Sequence, residues 1–100
     1  MIVERVVFHI EPGREEEFAE AVARAREVFS HADGFLGLRL LARGVESPSD
    51  FLLLAEWESV EAHTEGFRGS ELFTRWREAV GPYFAAEPPE IEHYVPVDLG

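Results

Sequence analysis

The run FLLLA from Phe51 to Ala55 constrains the fold most, because five consecutive apolar residues leave a strand without a polar side. Side chains of a strand alternate, so Phe51, Leu53, Ala55 and Trp57 share one face while Leu52 and Leu54 occupy the other. SerProSerAsp at 47 to 50 bounds the run, and its length and composition predict a strand buried on both faces. Each face then needs a cover.

The first strand makes the same demand. Ile2 to Ile10 is rich in β-branched residues and closed by GluProGly. Its even positions carry Ile2, Val6 and Phe8, and its odd positions carry Val3, Val7 and His9. Arg14 to about Ser30 follows as a helix, with Phe18, Ala21, Val22, Ala25, Val28 and Phe29 on one stripe and Glu15, Glu16 and Glu17 at the positive end of its dipole. Phe35 to Arg43 predicts a second strand, joined by the loop at 44 to 50 to the strand at 51 as an antiparallel hairpin. These two strands are expected to form the central pair of the sheet.

Beyond Trp57 the period changes. Ser59 is a suitable N-cap for a short helix through His63 and Phe67, interrupted by Gly66 and Gly69. Ser70 is expected to open a second helix with Leu72, Phe73, Trp76 and Val80 on its apolar stripe, ending at GlyPro 81 and 82. Ile91 to Val97 is the last predicted strand, and Pro96 suits an edge position or a strand end.

The order βαββαβ over one domain, residues 1–100, predicts a ferredoxin-like α+β fold with both helical layers on one face of an antiparallel sheet. The opposite face lacks a cover although two of its strands are apolar on both sides, which would leave a large exposed patch. A second copy laid face to face supplies the missing cover, so a homodimer with packed sheets is expected.

Composition removes whole reaction classes. The chain has no Cys, Lys, Asn or Gln, and all nine basic side chains are Arg. Thiolate metal sites, disulfides, thiol nucleophiles, Schiff-base lysines and P-loops are therefore excluded. A net charge of -11 argues against nucleic acid or an anionic membrane as partner. No run is long enough for a transmembrane helix, Glu4 and Arg5 within the alternating first strand are not expected of a signal peptide, and a cytoplasmic location is expected. The absence of Asn, Gln and Cys fits a thermophile, although the absence of Lys does not.

A site is expected between sheet and helices, lined by Trp57, His63, Phe67, Phe73, Trp76 and Arg77, with Phe8 and either Val22 or Phe29. The bland alternative for each ring is core packing. The four His at 9, 31, 63 and 93 show no local metal-ligand spacing, so no metal is expected. His63, one turn before Phe67, is placed to orient or deprotonate a phenol. Arg68 and Arg77 can meet an oxyanion, or pair with the abundant Glu.

GlyPheLeuGly at 34 to 37, TrpGluSer at 57 to 59, HisThrGluGlyPheArg at 63 to 68, SerGluLeuPhe at 70 to 73, TrpArg at 76 and 77 and GluHisTyr at 92 to 94 together resemble the antibiotic biosynthesis monooxygenase (ABM) family. That resemblance spans about Val3 to Val97 and implies a small dimeric ferredoxin-like protein. It further implies a cofactor-independent monooxygenase that uses O2 on a small phenol- or quinol-like aromatic substrate. Trp57, His63 and Arg77 would be its catalytic residues, and Phe8, Phe67, Phe73 and Trp76 would bind substrate. His63 stands where that pattern leads one to expect Tyr. A neighbouring branch of the family binds and degrades haem. Against its pattern Trp57 matches, but the strand-1 Asn falls near Val6 and the helix His near Arg77, leaving only His63 as a haem ligand. A non-catalytic dimer that binds a small aromatic or apolar ligand is the third reading.

Overall fold

The computed structural model describes residues 1–100. Four strands, β1 (Ile2–His9), β2 (Phe35–Arg43), β3 (Asp50–Trp57) and β4 (Glu90–Tyr94), form one antiparallel sheet in the order β2-β3-β1-β4. Helices α1 (Glu15–Ala25) and α2 (Glu71–Val80) cover one face. This is the expected ferredoxin-like α+β architecture.

Burial follows the alternation of the strands. On β3, Phe51, Leu53, Ala55 and Trp57 are buried while Leu52, Leu54 and Glu56 between them are half-buried. On β1, Glu4, Val6 and Phe8 face the helices together with Ile10 beyond the strand. Phe18 of α1 packs its ring 5.2 Å from Phe8 and 4.9 Å from Phe51, closing one end of the core. At the other end Phe29 stacks on Phe67 at 4.8 Å and meets Trp76 edge-on at 4.6 Å. Aromatic pairs at these distances add about 0.5–1.5 kcal/mol each beyond their buried area.

Three local expectations are corrected. The central pair is β3 with β1; β2 is an edge strand with two register irregularities, and its Leu36 and Leu40 are exposed. A hairpin fixes which strands are neighbours, but β1, apolar on both sides, takes the second inner position by pairing with β3 and β4 together. The first helix stops at Ala25 and continues as a 3-10 turn over Arg26–His31, a tighter winding that brings both Val28 and Phe29 inward. Ser70 opens α2 from its N-cap position as expected, although its hydroxyl donates backward to the carbonyl of Phe67 at 2.7 Å rather than accepting from the helix. The last strand ends at Tyr94, and Val95 and Val97 are exposed. By contrast, Ser59 does cap its helical segment, accepting from the Ala62 N–H at 3.1 Å.

The segment after that cap is π-wound over Ala62–Phe67, with the Arg68 N–H reaching the His63 carbonyl five residues back at 3.0 Å. Both His63 and Phe67 of this segment are buried. Gly34 holds the segment against the start of β2. Its φ is +82°, and a Cβ there would lie 2.7 Å from that of Ala62, so no other residue fits without displacement.

The sheet face away from the helices carries Val3, Val7, Leu40, Ala42, Leu52 and Leu54, interrupted by the ion pairs Arg5–Glu92 and Arg39–Glu56. No element of the chain packs over it.

Candidate functional site

A hollow of about 230 Å³ lies between the sheet and α2. Its floor comes from Glu4, Val6 and Phe8 of β1, Leu53 of β3 and Ile91 of β4. Its walls are Phe29, His63, Phe67, Phe73 and Trp76, and Arg68 and Arg77 also line it. Phe8, His63, Phe67, Phe73, Trp76 and Arg77 are thus gathered around one space. Phe29 joins them and Val22 does not.

Trp57 is placed differently. It is fully buried behind the wall and does not line the hollow. Its ring packs 5.2 Å from His63 and 5.5 Å from Phe67, and its indole N–H donates to Glu4 Oε1 at 2.9 Å. Trp57 therefore meets the space only through the residues in front of it, by a hydrogen bond to Glu4 and ring contacts to His63 and Phe67.

Glu4 is the residue that motif reading missed. It stands at an even position of β1 between Ile2 and Val6, a carboxyl on an otherwise apolar face, and only 5% of it is exposed. Burial pushes its pKa up to about 7, opposed in part by the Trp57 hydrogen bond and the charge of Arg68. Its Oε2 lies 3.3 Å from His63 Nε2. Burial lowers the His63 pKa to about 4, assisted by His93 and Arg68. His63 Nδ1 is 2.9 Å from His93 Nε2, one ring donating to the other. No buried side-chain polar atom in the chain is left without a partner.

The arrangement is an acid–base pair set into an apolar wall. Around neutral pH the His63 ring is uncharged and Glu4 is poised between its two forms, the condition under which a carboxyl both takes and returns protons. Arg68 and Arg77 add permanent positive charge. The chain's other ion pairs engage Arg5, Arg14, Arg39 and Arg43, and neither Arg68 nor Arg77 enters one despite the excess of Glu. Both lie near the Phe73 ring, at 5.6 and 5.8 Å.

The family model for antibiotic biosynthesis monooxygenase matches residues 1–79. The chain belongs to the antibiotic biosynthesis monooxygenase family. YczJ of Bacillus subtilis, itself uncharacterized, is 35% identical over 94 residues, covering 94% of this chain and 97% of YczJ. A crystal structure from Bordetella bronchiseptica that carries the same family name is 41% identical, with a TM-score of 0.91 over 96% of each chain. SnoaB, a cofactor-independent oxygenase from Streptomyces nogalater, shares the fold at 18% identity, with a TM-score of 0.76 over 97% of this chain and 93% of SnoaB.

Haem does not fit the site. Both nitrogens of His63 are engaged, Nδ1 by His93 and Nε2 at the Glu4 carboxylate, so no ring nitrogen is free for an axial bond. Elsewhere the structure gathers donors that local spacing did not reveal. His9 Nε2 and the carboxylates of Glu87 and Glu90 fall within 4.8 Å of one another, away from the hollow. His9 also bonds Asp50 at 2.8 Å, and these contacts read as ion pairs joining β1, β3 and β4.

The longest helices are far too short and polar to cross a membrane.

Proposed function

We propose that this ABM protein is a cofactor-independent monooxygenase that ionises a small phenol or quinol in the hollow and lets O2 attack the electron-rich ring. One observation carries this reading: an apolar, aromatic-walled space whose only buried ionisable groups are the Glu4–His63 pair, with Arg68 and Arg77 beside it free of carboxylate partners.

The phenolic proton passes to the Glu4–His63 pair, leaving a phenolate. Arg77 and Arg68 favour that anion and the negative charge that develops on oxygen. Phe8, Phe67, Phe73 and Trp76 hold the substrate ring and exclude water. Trp57 acts through Glu4, whose ionised form its N–H stabilises. The chemistry balances without a reductant. Phenol and O2 give quinone and water, the ring supplies all the electrons, one oxygen atom enters the ring, and the other leaves as water.

The sheet face left bare by the helices supports a homodimer as the working form, its apolar residues covered by the same face of a second copy. Light scattering at micromolar concentration is expected to give twice the chain mass.

The test of function is O2 consumption with dihydroxynaphthalenes, followed with an oxygen electrode and by quinone absorbance. Turnover is expected in the wild-type protein and is expected to fall by about 10²–10⁴-fold in Glu4→Gln. Tight binding of the same compounds without O2 uptake would contradict the oxygenase reading and leave a binding protein.

A further inference from the structure

A proton taken from the substrate in a dry site must be held, or parked in solvent, until the leaving oxygen needs it, so a route between the buried pair and water matters. Glu4 and His63 are only 5% and 3% exposed, so neither meets bulk water directly. Edge strand β4 brings up a third group. His93 is the register partner of Glu4 across β1 and β4, on the same sheet face, and it is half-buried. Its Nε2 lies 2.9 Å from His63 Nδ1, and the two rings are 5.1 Å apart at 55°. His63 thus faces Glu4 with one nitrogen and His93 with the other.

We infer that His93 is the proton port of the site, and that Glu4, His63 and His93 form a relay from the hollow to solvent. An imidazole that gains a proton at Nε2 and loses one from Nδ1 transmits a net proton while returning to neutrality in its other tautomer. A proton leaving Glu4 enters His63 at Nε2, and the proton on Nδ1 passes to His93 Nε2. His93 then releases a proton from its own Nδ1 to water; the reverse sequence brings a proton back when the second oxygen leaves as water and returns both rings to their starting tautomers, so no net proton crosses per turnover. Burial keeps His63 neutral between transfers, and the other charged group against this chain, Arg68, adds to that effect. His93 touches no substrate in this scheme, and its role is transmission alone.

This inference rests on the reading of the hollow as a phenol-ionising site, but its test needs no turnover. The Trp57 indole N–H reports the Glu4 charge through their 2.9 Å hydrogen bond. In wild-type protein, its NMR signal is expected to move smoothly with pH about the Glu4 midpoint near 7, in fast exchange. In His93→Gln, which keeps a hydrogen-bonding side chain beside His63 but cannot relay, the same titration is expected to broaden as proton exchange slows by about tenfold or more. Added imidazole is expected to restore the wild-type lineshape, and His93→Ala is expected to behave likewise and to be rescued more fully. Unchanged exchange in both variants, or a shifted midpoint with no slowing and no rescue, would overturn the relay and leave His93 as a tether between β4 and the π-wound turn. A slowed and rescued exchange in a protein that consumes no O2 with any phenol would uphold the relay while removing the oxygenase reading.

Discussion

Two histidines on this molecule sit against carboxylates, and they titrate in opposite directions. His9, at the end of β1, bonds Asp50 and Glu90 on the sheet face away from the helices, where Glu90 is well exposed. Its pKa is raised, first by the hydrogen bond to Asp50 and then by that to Glu90. His63, packed against Trp57 with its side chain 3% exposed beside Glu4 at 7%, is pushed down by burial. Near water, hydrogen bonds and charge favour the imidazolium; in the wall of the hollow, desolvation outweighs them and also drives the partner carboxyl toward its neutral form. The first grouping is an ion pair that ties strands together, and the second is the buried pair to which the proposed chemistry assigns proton transfer. The residue types are almost the same.

The sharpest way to break that contrast is Glu4→Gln. Beyond its effect on turnover, it should change stability. The Glu4 carboxyl has a folded-state pKa above its unfolded value, so its ionisation opposes folding. The penalty is absent below pH 4.5, grows up to about 7 and is constant above that, amounting to about 3 kcal/mol. Glu4→Gln should be more stable than wild type by up to that amount at pH 8 and equal to it near pH 4, as measured by urea unfolding at the two pH values. His63 has the opposite slope. Its folded pKa lies below the unfolded one, so it costs stability as pH falls from 6.5 toward 4. In wild type the two slopes offset each other; in Glu4→Gln the His63 slope stands alone, and acidification through that window should destabilise the variant visibly.

Trp57→Phe should act on the same pair less strongly. It removes the one hydrogen bond that favours the Glu4 carboxylate and leaves a cavity where the indole stood. The Glu4 midpoint should rise above about 7, and unfolding free energy should fall by about 1–3 kcal/mol. A carboxyl midpoint unchanged in this variant would show that the indole does not hold Glu4.

The smallest effect is expected at the other histidine. His9 contributes stability that is fully present below pH 6.5 and lost as pH rises through its raised folded-state value. With Asp50 and Glu90 partly solvated, His9→Gln should cost about 1 kcal/mol or less at pH 6 and nothing at high pH. A cost equal to that of changing Trp57 would erase the distinction between the two groupings.

Much of this was legible in the sequence. The apolar runs of β1 and β3 fixed their depth, the helical stripes fixed which side is covered, and the aromatic residues from Phe67 to Trp76 pointed to the hollow. What escaped was information carried across the sheet. Glu4 was hidden because the apolar period of β1 dominates its even positions, although a carboxyl between Ile2 and Val6 on a buried face is itself a signal. His93 pairs with Glu4 only through the β1–β4 register, which no local spacing encodes. The His9–Glu87–Glu90 grouping was invisible for the same reason. Trp57 does not line the hollow, because His63 and Phe67 of the π-wound segment pack in front of its ring. A helix of ordinary pitch was the simpler expectation there.

The most direct measurement is the carboxyl carbon titration of Glu4 by NMR, its signal identified by its absence in Glu4→Gln. A midpoint of about 7 is predicted, because a buried carboxyl with a single strong donor cannot ionise at its ordinary pH. A midpoint at the ordinary value of 4.5 would contradict that and take away the acid–base pair on which the proposed chemistry rests.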